Sequence, residues 1–128
     1  MSLCLLSCEK VYINGDLDGM WKLQTVETTD TTICPQNIYY SFQRHLVMLG
    51  EHFDTGFPND YLAQCDREGD MLVMSNFYKW PVNLGVCDKE ELKKYFIFSD
   101  TVNFIVEVLD EEVLVMRDGN RAYNFKKW

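Results

Sequence analysis

The chain has 128 residues, is 47% hydrophobic, 14% aromatic and 25% charged, and carries a formal net charge of -8 with a sequence pI of about 4.6. That is one globular domain's worth of chain, too rich in aromatics for disorder and too acidic for a nucleic-acid or polybasic membrane surface. No apolar run reaches the roughly 18 residues of a membrane-spanning helix.

Two of the five cysteines lie in the first eight residues, Met1–Cys8, an uncharged and mostly apolar stretch that stops at Glu9-Lys10. The string Leu5-Leu6-Ser7-Cys8 resembles a bacterial lipobox. That chemistry needs a thiol to take the diacylglyceryl group and a small residue before it, so that the peptidase can reach the bond. Cys8 and Ser7 meet both needs. Only seven residues precede Cys8 and none is Lys or Arg, whereas a full signal peptide of roughly 15–30 residues opens with a positive region. Met1 therefore reads as an internal methionine of a longer signal. The alternative is a short apolar strand with two incidental cysteines. The expected organisation is the end of a lipoprotein signal over 1–8, with Cys8 as the lipid-attachment residue, then a tether over 9–18 and one domain over 19–128.

From Gly19 onward the pattern is mainly strand. Met20–Glu27 alternates, with Trp21, Leu23 and Thr25 on one side and Lys22 and Gln24 on the other, the mark of a half-buried strand. Asn37–Gln43 puts Ile38, Tyr40 and Phe42 on one face, and Leu46–Leu49 is a third short strand. His52–Asn59 reads as a loop with Gly56 and Pro58, its Phe53 and Phe57, with Tyr61, placed at the mouth of the domain. Tyr61–Asp66 and Met71–Tyr78 flank the turn Arg67-Glu68-Gly69-Asp70. Asp88–Tyr95 is the one convincing helix: Asp88 is a candidate N-cap, Glu91 three residues on suits a capping box, and Glu90 and Lys94 are spaced for an i,i+4 pair. Thr101–Leu109, Val113–Arg117 and Asn120–Trp128 complete the strands, with Asp118-Gly119 as a second tight hairpin signal.

Eight strand candidates joined mostly by short connections show no β-α-β rhythm and no repeat of 20–50 residues. An antiparallel all-β protein remains. Eight up-and-down strands remove their exposed edges by closing into a barrel, which has room for side chains or one small ligand. The predicted fold is an eight-stranded antiparallel β-barrel with one short helix between the fifth and sixth barrel strands. If Trp21 points inward, alternation suggests Tyr40, Phe42, Met74 or Phe77, Phe104, Val106, Tyr123 and Phe125 as lining. They form either a packed core or a pocket in which Tyr hydroxyls orient an apolar ligand.

At Asp18-Gly19-Met20-Trp21-Lys22 the sequence resembles the lipocalin signature, Gly-x-Trp at the start of the first barrel strand. The ending Arg121-Ala122-Tyr123-Asn124-Phe125-Lys126-Lys127 is similar to the last strand of small lipocalin-like lipoproteins of Gram-negative bacteria. The resemblance implies a lipocalin-like barrel in which Gly19 eases the turn into the strand, Trp21 plugs one end, and an Arg near the last strand, Arg121 or Arg117, covers that Trp by a cation–π contact. These roles are structural. Full-size lipocalins are longer and carry a substantial C-terminal helix, so a roomy cavity is not implied.

Catalytic and metal motifs are missing from the sequence. His45 and His52 are separated by an apolar strand and a turn, and Cys34, Cys65 and Cys87 form no CxxC, so the grouped ligands of a zinc site are lacking. There is no G-x-S-x-G elbow, no GxGxxG and no P-loop. Asp66–Asp70 lacks the spacing of a calcium loop. The three cysteines after Cys8 allow at most one disulfide.

The sequence thus points to a non-enzymatic, cofactor-free, lipocalin-like binding protein, lipid-anchored through Cys8 at the outer membrane of the cell envelope. Its expected partner is a small hydrophobic ligand, with Tyr40, Phe42, Phe77, Phe104 and Tyr123 as candidate contacts. It would touch the membrane through the anchor alone and bind no nucleic acid. The rival readings are a solid-cored barrel that binds a protein through its loops, and an enzyme on a small barrel.

Overall fold

The computed structural model describes residues 15–51, 61–79 and 89–128. The expectations for Cys4, Cys8 and the tether up to residue 14 lie outside the described residues, as do those for His52, Phe53, Gly56, Phe57, Pro58, Cys87 and Asp88.

A 3-10 turn, Gly15–Leu17, leads into nine strands: β1 (Gly19–Glu27), β2 (Thr32–Ile33), β3 (Ile38–Gln43), β4 (Leu46–Glu51), β5 (Tyr61–Glu68), β6 (Met71–Lys79), β7 (Thr101–Leu109), β8 (Val113–Asp118) and β9 (Arg121–Lys127). Every pairing is antiparallel, the eight long strands pair in chain order, and β1 also pairs with β9, so they close into a barrel. The two-residue β2 extends the edge of β1 beyond the reach of β3. Tight two-residue turns join β3 to β4, β5 to β6 and β8 to β9. Arg44, Gly69 and Gly119 stand at their first positions with φ of 56°, 62° and 58°.

Period-two alternation explains most of the core. Ile38, Tyr40 and Phe42 on β3, Val47 and Leu49 on β4, Tyr61, Ala63 and Cys65 on β5, and Leu114 and Met116 on β8 all point inward and are buried. Three strands break the period by one residue. In β1 the register shifts between Leu23 and Thr25, leaving Gln24 unmatched. Val26 is therefore the next inward side chain after Leu23, and Thr25, expected on the inner face, instead accepts a hydrogen bond from Asn124 at 2.9 Å. In β7 the shift falls between Val106 and Val108, and Leu109 packs on the core in place of Val108. In β6 three steps face two on β5, with Asn76 at φ 55°. The sequence left Met74 and Phe77 as alternatives for the lining; this bulge brings both inward. A bulge inserts one residue and so exchanges the faces beyond it, which strict alternation cannot show.

Between β6 and β7 lies α1 (Lys89–Leu92), tightened into a 3-10 turn, Lys93–Tyr95, and ended by Phe96 at φ 64°, ψ 36°. This tightening replaces the expected Glu90–Lys94 pair. With three residues per turn, i and i+3 align, so Glu90 meets Lys93 at 3.0 Å and Lys94 reaches Glu51 on β4 at 2.8 Å.

Asn76 tolerates the left-handed backbone where a β-branched residue does not. Asn76→Val should lower unfolding free energy by about 1–3 kcal/mol, and Asn76→Gly should stay within about 0.5 kcal/mol of the parent; urea unfolding midpoints measure both.

Candidate functional site

The two ends of the barrel are built differently. One end gathers tight turns and the start of β1. There the Trp21 indole N–H donates to the Leu17 carbonyl at 2.8 Å, and both residues are fully buried. The cation over the Trp21 ring is Lys127, with Nζ 4.5 Å from the ring centroid. The same ammonium donates to the carbonyls of Asp18 at 2.7 Å and Asp16 at 3.4 Å. Gly19 stands at φ +125°, and a Cβ there would come within 2.7 Å of Lys127 Nζ. Neither arginine proposed for this cover is near it. Arg117 pairs with Glu107 at 2.9 Å. Arg121 begins the strand that Lys127 ends, which puts the two roughly 20 Å apart at about 3.3 Å per residue. A cation at the end of the final strand was the signal that could have found Lys127.

The other end carries the long connections and is closed by α1 and the residues after it. Leu92, Tyr95 and Ile97 are buried against the barrel interior. This cap is held from inside by two tyrosines on different strands. The Tyr40 hydroxyl on β3 donates to the Tyr95 carbonyl at 2.5 Å, and the Tyr123 hydroxyl on β9 donates to the Phe96 carbonyl at 2.6 Å. From outside it is held by the Lys94–Glu51 pair and by Lys79, at the end of β6, with Glu91 at 3.1 Å.

All five candidate ligand contacts expected from the sequence point inward: Tyr40, Phe42, Phe77, Phe104 and Tyr123 are 0–8% exposed. They pack on one another and on the core, with Tyr40 against Phe125 at 5.0 Å between centroids and Phe104 against Tyr123 at 5.1 Å. Burial pushes the Tyr40 phenol well above its ordinary pKa and that of Tyr123 up to about 12, so both are neutral donors over the physiological range.

Arg121 sits on the same inward face of β9 as Tyr123, at the capped rim. Its guanidinium lies 4.4 Å from the Phe98 ring centroid and pairs with Asp118 at 3.1 Å. Burial opposes its charge, but Asp118 and Tyr123 outweigh burial and raise its pKa. Arg121 Nε is buried and has no hydrogen-bond partner.

A second feature was not legible in the alternation, which assigns outward positions to solvent. Met20, Ser41, Met48 and Leu62 are successive cross-strand neighbours on the outer face of β1, β3, β4 and β5. With Phe42 and Leu46 they line a shallow groove of about 720 Å³. Cys65 is buried in the wall, its thiol pushed up to about 12 by burial. His45 meets Asp66 at 3.2 Å on the exposed surface. Among the described residues no three His, Cys, Asp or Glu side chains group as a metal site.

A closed eight-stranded antiparallel barrel, plugged at one end by a Gly-x-Trp tryptophan under a cation, is the architecture of a lipocalin. The chain belongs to the lipocalin-like domain family Lipocalin_8, whose pattern matches residues 3–128. It is similar in structure to a lipocalin-like protein from Bacteroides uniformis, with a TM-score of 0.70 and 20% identity over 89% of this chain and 100% of that one. It is also similar to an uncharacterized protein from Bacteroides eggerthii, with a TM-score of 0.69 and 17% identity over 88% of this chain and 99% of that one. At these identities the likeness is one of fold. No curated protein matches the sequence.

At the Trp21 end, Gly19→Ala forces a side chain into a positive-φ backbone against Lys127 and should cost about 1–3 kcal/mol, while Trp21→Ala should cost about 3–5 kcal/mol; chemical denaturation measures both. At the capped end, Tyr123 ionises near its ordinary pKa of 10.0 when unfolded and near 12 when folded. The unfolded chain therefore loses that proton first, and stability present below pH 10 should fall as pH rises towards 12. Tyr123→Phe should flatten that part of the stability–pH curve.

Proposed function

We propose that this lipocalin-like chain is a non-enzymatic binding protein of the bacterial cell envelope, anchored to the outer membrane through a lipid on Cys8, that holds a small apolar ligand at the capped end of the barrel. The observation that carries the binding reading is the convergence of Tyr40, Tyr61 and Tyr123 on one short segment that belongs to a connection and not to the wall. Tyr61 stacks edge-on with Tyr95 at 6.2 Å, and the other two hold the neighbouring carbonyls. Apolar surroundings with a few aimed polar groups are the usual make-up of a small-molecule site, and the capped end has both. The lipobox-like Leu5-Leu6-Ser7-Cys8 supports the anchor. A second reading, a solid barrel that binds a protein partner, is favoured by the outer groove along Met20, Met48 and Leu62.

Two experiments test the proposal. Metabolic palmitate labelling of the full-length gene product should mark the protein and should fail for Cys8→Ala; no label on the parent overturns the anchor. Native mass spectrometry of the protein purified from its own envelope should show a bound small molecule. A clean unliganded mass, with binding of a protein that is lost in Met48→Asp, favours the groove instead.

A further inference from the structure

Building on the apolar-ligand reading, we infer that the cap formed by residues 92–98 occupies the ligand's place, and that the ligand is a neutral molecule with an apolar body and a carbonyl-bearing head, an ester or an amide. Its carbonyl oxygen would replace those of Tyr95 and Phe96 on the Tyr40 and Tyr123 hydroxyls, and its apolar body would replace Leu92, Tyr95 and Ile97.

Four observations carry this. First, the two hydroxyls come from strands on different parts of the wall, both lie within the barrel, and both are spent on adjacent peptide carbonyls of one connection. Buried hydroxyls are kept partnered, so a cap that leaves frees two aimed donors that a ligand carbonyl can take. Second, the site holds one donor more than the cap satisfies: Arg121 Nε is buried beside Tyr123 without a partner. An oxygen added at this rim would meet it, and leaving it unmet costs stability.

Third, the cap is not secured as the wall is. Among the described residues its outer ties include the ion pairs Lys94–Glu51 and Lys79–Glu91, whose side chains are 20–43% exposed, and pairs of this kind contribute little. Its backbone turns at Phe96 with φ 64°, a conformation that bulky residues avoid. Fourth, the charge balance selects a neutral head. Among the described residues the cation on the inward face at this rim is Arg121, already neutralised by Asp118 at 3.1 Å, and the two tyrosines are neutral donors. A carboxylate in the cap's place would lie in an apolar interior with no unpaired cation among the described residues to meet it, which is costly; a carbonyl would not.

The test is a titration of the full chain, followed by amide NMR, with three probes of equal chain length below their aggregation limits: methyl laurate, laurate and dodecane. Methyl laurate should bind about ten-fold more tightly than dodecane, the effect of one or two net hydrogen bonds, and more tightly than laurate at pH 8. It should also speed hydrogen exchange of the Phe96 and Ile97 amides at least ten-fold, since these bond Lys93 and Leu92 within the cap. The pair Tyr40→Phe/Tyr123→Phe should abolish the preference for ester over alkane while dodecane still binds. If that variant does not fold, the comparison of the three probes on the parent decides. Equal binding of ester and alkane, tighter binding of laurate, or ester binding without faster cap exchange overturns this inference and leaves the apolar-ligand reading standing. Binding of none of the three overturns both.

Discussion

β1 is hydrogen-bonded along both of its edges, to β3 through Gly19–Lys22 and to β9 through Trp21–Glu27. That double pairing joins the first and last long strands and turns a meander into a closed wall. Closure removes the free edges that would otherwise template aggregation, and it gives the inward faces a common interior. The pairing depends on the bulge at Gln24. Without it, the inner face of β1 would run Trp21, Leu23, Thr25, and the hydroxyl of Thr25 would take the place that Val26 fills in the core.

Closure also creates two ends, and the chain finishes them by different physics. At the Trp21 end the seal is local and redundant: an indole–carbonyl bond, a cation over the ring, and one ammonium shared between two carbonyls. Positive φ at Gly19 lets the backbone pass beneath Lys127. At the capped end, an element from a connection fills the opening and is held by side chains of the wall. One end is thus sealed by neighbouring residues of the wall, and the other by an element inserted from a connection.

Tyr40, Tyr123 and Arg121 are all donors, and Asp118 neutralises the single charge among them. Their burial keeps the phenols protonated. The interior is therefore apolar with a donor-rich rim on which Arg121 is paired with Asp118.

Much of the architecture was legible in the sequence. Alternation placed Tyr40, Phe42, Phe104 and Tyr123 on inner faces, turn residues divided the strands, and the lack of β-α-β rhythm left an antiparallel barrel, because side-chain direction within a strand is a local, period-two property. Gly19 and Trp21 were legible for the same reason, as a motif of neighbouring residues. What only the tertiary structure decided are relations across the sheet. The three bulges change faces partway along β1, β6 and β7; Lys127 in place of Arg121 covers Trp21, because the two lie at opposite ends of one strand; and the tyrosine hydroxyls serve carbonyls 55 and 27 residues distant in the chain. Such contacts depend on register and closure, which no local pattern of residues encodes.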